Sequence, residues 1–230
     1  RSIPSLDMGG YADLRFILRE GGSMGDLYSR TDLRRDANGA IYMDESNNVY
    51  TQKIDNPDSY IKLGSVLPKG NLAWRNNFMW KNFHVGFMIS ARLGGVVFSR
   101  TQAILDKFGV SEASADARDN GFVLINGNDR VNPENWYTTV GSTAVPQYYT
   151  YSATNVRLQE ASIGYTIPRK WLANVCDIKV SLIGRNLWMI YNKAPFDPEA
   201  VASTDNFYQG IDNFMMPSLR NVGFSLNFKF

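Results

Sequence analysis

One cysteine (Cys176), one histidine (His84) and no long apolar run make this sequence poor in the residues that carry most chemistry. A lone cysteine excludes an internal disulfide and by itself says nothing about compartment. A lone histidine rules out a histidine-based metal cluster or catalytic dyad within the chain. No apolar run approaches the roughly 20 residues that a membrane helix needs. Charge of one sign is also lacking: 24 Lys and Arg stand against 22 Asp and Glu. The net charge of +2 gives no basic footprint, which argues against nucleic acid as a partner. Paired carboxylates at catalytic spacing, a nucleophile motif and a phosphate loop are all missing. The sequence therefore offers no enzyme and implies no cofactor or metal. It opens on Arg1 with no visible signal peptide, and reads as processed or cut from something longer.

Alternation is what the sequence does have. Aromatics make up 13% of the residues, and mean hydropathy is only −0.28. In the last segment, Val222, Phe224, Leu226, Phe228 and Phe230 fall on one face at period two. Gly223, Ser225, Asn227 and Lys229 fall on the other. This is a β-strand with one apolar and one polar side. Lipid outside and a polar lumen inside require this pattern, and a half-apolar strand leaves little trace in hydropathy.

Earlier segments repeat it. Ile178, Val180, Leu182, Trp188 and Ile190 alternate with Lys179, Ser181 and Arg185. In Asn155–Ile167, Ala161, Ile163, Tyr165 and Ile167 share one side. Val156 and Leu158 have the opposite parity, which predicts a bulge near Gln159–Glu160. Phe83, Val85, Phe87, Ile89, Ala91 and Leu93 alternate with His84, Gly86, Met88, Ser90 and Arg92. A second bulge is expected at Gly94–Gly95 before Val96 and Phe98 continue the strand. Leu72–Trp80 and Ala12–Arg19 follow the same rule, and Gly25–Leu33 is the weakest candidate.

These make about seven strands. Their connections are short at 20–24, 81–82 and 168–176, and long and polar at 36–69, 104–154 and 191–216. Loops that long are unusual inside a compact soluble domain. Short periplasmic turns opposite long extracellular loops are the pattern of an outer-membrane barrel. The expected fold is thus all-β: an antiparallel transmembrane β-barrel segment. Such a segment cannot close a barrel alone, so residues 1–230 are expected to be the C-terminal portion of a larger one.

At this point the residues resemble a known family. The run Asn76–Phe98, with its hairpin and double glycine, resembles SusC/RagA-type TonB-dependent transporters. So does Thr154-Asn-Val-Arg-Leu-Gln-Glu-Ala-Ser-Ile-Gly-Tyr-Thr-Ile-Pro-Arg-Lys-Trp171. Ser181-Leu-Ile-Gly-Arg-Asn-Leu-Trp188 followed by Phe196-Asp-Pro-Glu199, and Pro217-Ser-Leu-Arg220, fit as well, in the family's order across about residues 60–230. The resemblance implies a barrel of about 22 strands with a plug in its lumen, as in outer-membrane transporters. It also implies bacterial outer-membrane location, TonB-driven import of oligosaccharides or peptides, and a SusD-like surface lipoprotein as lid. The plug, the segment that meets TonB and the N-terminal strands are not recognisable in this sequence.

Candidate residues follow from these faces. The lumen set is Arg75, His84, Arg92, Lys179 and Arg185, with Arg15 and Lys229; wall-to-plug salt bridges are their simpler role. Phe224, Leu226, Phe228 and Phe230 would form the membrane-insertion signal. Trp80, Phe83, Tyr165, Trp188 and Tyr191 suit interface girdles. Among loop aromatics, Trp136, Tyr148, Tyr149, Phe207 and Tyr208 could stack on ligand or meet the lid, with Tyr137 and Tyr151 beside them; ordinary packing competes. Asp36–Asp44 looks like the start of a calcium loop but lacks its ligand series, so a hairpin turned on Asn38-Gly39 explains it better. Cys176 lies in a turn as an inert thiol. Two other functions remain open: a passive porin-like channel that needs no TonB, and a soluble β-rich carbohydrate-binding module.

Overall fold

The computed structural model describes residues 4–141, 144–172, 175–203 and 208–229. The chain is mostly antiparallel β-strand with a few short helices. It begins with β1 (Ser5–Tyr11), β2 (Leu14–Arg19), β3 (Asp26–Ser29), β4 (Thr31–Leu33), β5 (Thr51–Lys53) and β6 (Ile61–Ser65). Two long strands follow, β7 (Gly70–Trp80) and β8 (Phe83–Leu93), and then β9 (Val96–Ser99). Next come α1 (Arg100–Lys107), α2 (Glu112–Asn120), β10 (Val123–Ile125), β11 (Asp129–Val131) and α3 (Pro133–Val140). The chain closes with β12 (Thr150–Ser152), β13 (Asn155–Ile167), β14 (Asp177–Asn192), β15 (Ile211–Asp212) and β16 (Asn221–Lys229). No helix among the described residues is long and apolar enough to cross a membrane.

These elements group into two compact units. The first holds Arg1–Leu67, Gly95–Ser152 and Ala200–Met215; the second holds Pro68–Gly94, Ala153–Glu199 and Met216–Phe230.

The first unit is built on a conventional core. Leu14, Phe16, Leu27, Val49, Phe98, Trp136, Val145 and Tyr149 are buried together. Its four-stranded sheet runs β1-β2-β3-β6, and β9 lies between β12 and β15, the latter pair parallel. The helices start where capping groups satisfy the free N–H donors of a first turn. Ser99 Oγ accepts from Gln102 N–H at 3.1 Å, Ser111 Oγ from Ser114 N–H at 3.1 Å, and Asn132 Oδ1 from Glu134 N–H at 2.9 Å.

Three expectations are corrected here. The segment 104–154 is not an open polar loop: it carries the end of α1 with α2 and α3, and contributes Trp136, Val140 and Tyr149 to the core. The strand read at Ala12–Arg19 exists as β2, but Leu14 and Phe16 are fully buried in that core rather than presented outward. The strand of Phe83–Leu93 does not bulge and continue. Gly94 and Gly95 both take positive φ (76° and 86°), and β9 joins a different sheet. Two successive left-handed residues turn the chain out of the ladder, which glycine permits at low cost. The turn on Asn38-Gly39 is as expected: Arg35 bridges Ile41, Gly39 has φ 85°, and Asp36 Oδ1 accepts from the N–H groups of Asn38 and Ala40.

The second unit is a five-stranded antiparallel sheet in the order β16-β14-β13-β8-β7. Residues paired across neighbouring antiparallel strands share a face. One row therefore reads Phe78, Val85, Ile163, Leu182, Phe224, and the next Trp80, Phe83, Tyr165, Val180, Leu226. The predicted bulge is present. Leu158 pairs with Ile89 and Glu160 with Met88, leaving Gln159 without an opposite residue on β8. Leu158 and Val156 thereby return to the apolar face, opposite Ile89 and Ala91. The β7–β8 hairpin turns on Lys81-Asn82, with Lys81 at φ 51°.

Candidate functional site

The two faces of the five-stranded sheet differ sharply. On the apolar face, Leu72, Trp74, Phe78, Trp80, Ile163, Leu182, Trp188, Val222, Phe224 and Phe228 are all exposed. Rings there touch one another: Trp74 lies edge-on to Phe87 at 5.3 Å, and Phe83 meets Tyr165 at 4.9 Å. Trp80, Phe83 and Tyr165 cluster at the hairpin end of the sheet. Phe224, Leu226 and Phe228 stand on this face along edge strand β16; Phe230 lies outside the described residues.

The opposite face is polar. One row across it reads Arg75, Met88, Glu160, Arg185, Asn221. Arg75 Nη2 donates to Glu160 Oε1 at 3.0 Å, and Arg185 Nε lies 3.5 Å from Glu160 Oε2. His84 shares this face, with its Nε2 2.8 Å from Thr166 Oγ1. Arg92 stands in the row of Asn71 and Asn155, and Lys179 in the row of Thr166 and Asn227. These five residues thus occupy one face, as the alternation predicts, but spread over several rows and not around one point. Arg15 belongs to the first unit, where its Nε pairs with Asp7 at 3.1 Å.

One arginine that alternation alone passes over does organise a point. Arg157 pairs in register with Ser90 and Met189, and its side chain is only 3% exposed. Its Nη2 donates to Asp197 Oδ1 at 3.0 Å and lies 3.2 Å from Glu199 Oε2. Its Nη1 reaches Ser218 Oγ at 3.2 Å and Asn186 Oδ1 at 3.4 Å. Asp197 in turn accepts from the N–H and hydroxyl of Ser218, while Asn155 Nδ2 reaches Glu199 Oε1 at 3.3 Å. Nearby, Asn192 Nδ2 holds the carbonyls of Ala194 and Phe196 at 2.9 and 2.7 Å.

The electrostatics follow from this geometry. Burial alone would raise the Asp197 carboxyl, but the bonds from Ser218, the Glu199 N–H and Arg157 outweigh it and hold it below the ordinary carboxylate range. A buried arginine with two acids and two side-chain oxygens is satisfied on most of its donors. Beside it opens a cleft of about 400 Å³ whose lining includes Asn186, Met189, Phe196, Asp197 and Ser218. The cluster has neither nucleophile nor metal-ligand geometry; chemically it is a clamp. It joins four of the five quoted segments: Arg157 from Val-Arg-Leu, Asn186 from Gly-Arg-Asn-Leu, Asp197 and Glu199 from Phe-Asp-Pro-Glu, and Ser218 from Pro-Ser-Leu-Arg.

The loop aromatics separate by burial. Trp136 and Tyr149 are buried core residues, and burial first of all raises the Tyr149 phenol beyond its usual range. Tyr148 packs edge-on against Trp136 at 5.6 Å yet stays partly open, and Tyr208 is exposed. Tyr137 donates its hydroxyl to the Ala113 carbonyl at 3.0 Å. Phe207 lies outside the described residues. The thiol of Cys176 is free and half-buried.

No family model matches the chain. Its sequence is 27% identical over 207 residues to TonB-dependent receptor P3 of Formosa agariphila, spanning 85% of this chain. Its fold superposes on the RagAB peptide transporter with a TM-score of 0.56 at 16% identity over 94% of this chain. The resemblance is to part of a TonB-dependent transporter of the SusC/RagA type. A second RagAB structure, the peptide importer in its 'open-open' state, matches with a TM-score of 0.52 at 13% identity over 98% of this chain. The likeness is partial on the other side: this chain spans 19% of the receptor and 26% and 28% of the two RagAB chains. These proteins are named as a receptor, a transporter and an importer, none of them an enzyme.

Proposed function

We propose that the chain forms the C-terminal wall and extracellular loops of a SusC-like, TonB-dependent importer in the bacterial outer membrane. The observation that supports this best is the five-stranded sheet with one continuous exposed apolar face and one charged face. Lipid covers the first in this reading, and the second lines a lumen filled by a plug. The remaining strands of a barrel of about 22, the plug and the segment that meets the TonB complex lie in the rest of the polypeptide. Cargo is an oligosaccharide or a peptide, and a SusD-like lipoprotein closes the extracellular side.

The residues take defined parts. Arg75, Glu160 and Arg185 face the plug, as do His84, Arg92 and Lys179. Phe224, Leu226 and Phe228 present the insertion signal along β16. Among the described members of the predicted set, Tyr148 and Tyr208 offer exposed rings to ligand or lid. Arg157 and its acids fix the loop that follows β14 and the segment that enters β16, so that the extracellular side keeps its shape when cargo leaves.

The test is the mass of the detergent-extracted assembly from source-cell outer membranes, native and then denatured. A much larger polypeptide containing this sequence, carrying a lipoprotein, is expected. A monodisperse species of 25.9 kDa that needs no detergent would sink the assignment.

A further inference from the structure

The first unit holds a cleft of about 600 Å³ that no part of the clamp or the sheet uses. Ser46, Asn47, Arg118, Phe122, Arg130 and Glu134 line its sides, over a floor of buried Val131 and Pro133. Two guanidinium groups line it from different elements. Arg118, near the end of α2, is anchored by donating from Nη1 to the Gly109 carbonyl at 2.6 Å. Arg130, on β11, lies over the Phe122 ring at 4.4 Å from its centroid. Stacking leaves the edge donors of a guanidinium free while fixing its plane. Against these two cations Glu134 is the one acid among the lining residues.

We infer that this cleft binds the anionic group, carboxylate or sulfate, of an acidic oligosaccharide. Two planar forks held by a backbone carbonyl and a ring suit bidentate recognition of such groups. Ser46, Asn47 and Asn132 add hydroxyl and amide groups that both donate and accept, which matches a hydroxyl-rich ligand. An acidic peptide is less well served. Phe122 supplies the one aromatic surface of the lining, and Arg130 already covers a face of it. As a statement about cargo this rests on the importer reading; as a binding site it does not.

The test uses the full-length protein in detergent, titrated calorimetrically with tetragalacturonate, its neutral methyl ester, a sulfated tetrasaccharide and a tetraglutamate peptide. At least one acidic saccharide is expected to bind, more weakly as salt rises. The methyl ester should bind about tenfold more weakly than the free acid, and Arg130→Gln should cost about the same factor. Glu134→Gln should tighten binding by a few fold, because it removes the one repelling charge, a sign that a merely structural role would not give. The site is overturned by the absence of binding by both acidic saccharides, by an unaffected Arg130→Gln variant, or by tighter binding of tetraglutamate. Uptake assays in cells with and without TonB separate the two readings. Binding without TonB-dependent uptake keeps the site and removes the importer; uptake of these saccharides without binding at the cleft does the reverse.

Discussion

Arg157 and Asp197 meet at 3.0 Å with 3% and 7% of their side chains exposed, forty positions apart in the chain. Removing one partner of a buried pair leaves the other charge uncompensated, at a cost of about 3–5 kcal/mol. Asp197→Asn should therefore lower the thermal midpoint of the detergent-solubilised protein clearly. Glu199 remains near the arginine and keeps the loss toward the lower end. An unchanged midpoint would show that the clamp does not hold the fold.

The same pair sets a pH dependence. The Asp197 carboxyl is held below its ordinary value in the folded state, so its contribution is fully present above the carboxylate range of unfolded chains. It is lost as pH falls through that range toward the lowered folded value. Stability should be flat near neutrality and decline in acid, and the decline should be shallower in Asp197→Asn. Parallel acid profiles for the two proteins would contradict this.

Core and surface aromatics should separate cleanly. Trp136→Ala empties a packed site in the first unit and should cost about 3–5 kcal/mol. Tyr208→Ala, at an exposed position, should stay within about 0.5 kcal/mol. Equilibrium denaturation of the two variants distinguishes them.

On the importer reading, Phe224 faces lipid. A lysine there should cost about 2–4 kcal/mol if the position lies near the midplane, and reduce the yield of assembled protein in the outer membrane. Asn227→Lys, on the other face of the same strand, should leave that yield nearly unchanged. Equal yields for both variants would count against a lipid-facing sheet.

The row of Arg75, Glu160 and Arg185 makes a different prediction. Both arginines are well exposed within this chain, at 59% and 68%, so pairs of this kind contribute under about 1 kcal/mol. In the full-length protein, where the importer reading sets the plug against this row, Glu160→Gln should lower the melting midpoint by more than such exposed pairs account for. A drop no larger than that would mean that the row stays open to water there.

The sheet was legible because period two is a direct consequence of strand geometry: Phe83 to Leu93 and Ile178 to Leu182 alternate whatever packs against them. The bulge at Gln159 was legible for the same reason, as a break in parity. The helices were not, since Glu-Ala-Ser-Ala-Asp-Ala-Arg-Asp-Asn carries no wide apolar stripe. Their marks were the caps, Ser111 before Glu112 and Asn132-Pro133-Glu134, which periodicity does not register. Burial of Leu14 and Phe16 was hidden too, because an apolar strand face reads alike whether lipid or protein covers it. The clamp lay in view, with Arg157, Asp197 and Ser218 inside the quoted segments. Partners far apart along the chain cannot be joined from spacing alone.

Gln159 also gives β13 something like a reading frame. Every residue before it is one step out of phase with every residue after it, and the fold depends on that offset. Were this residue drawn into the ladder opposite β8 instead of bulging from it, the faces of Asn155–Leu158 would exchange, sending Arg157 toward the apolar side and Val156 and Leu158 toward the charged one. The clamp, the turn of the following loop and the outward row at Leu158 would then fail together, although no side chain had changed. For this strand, register is as much a part of the information as composition.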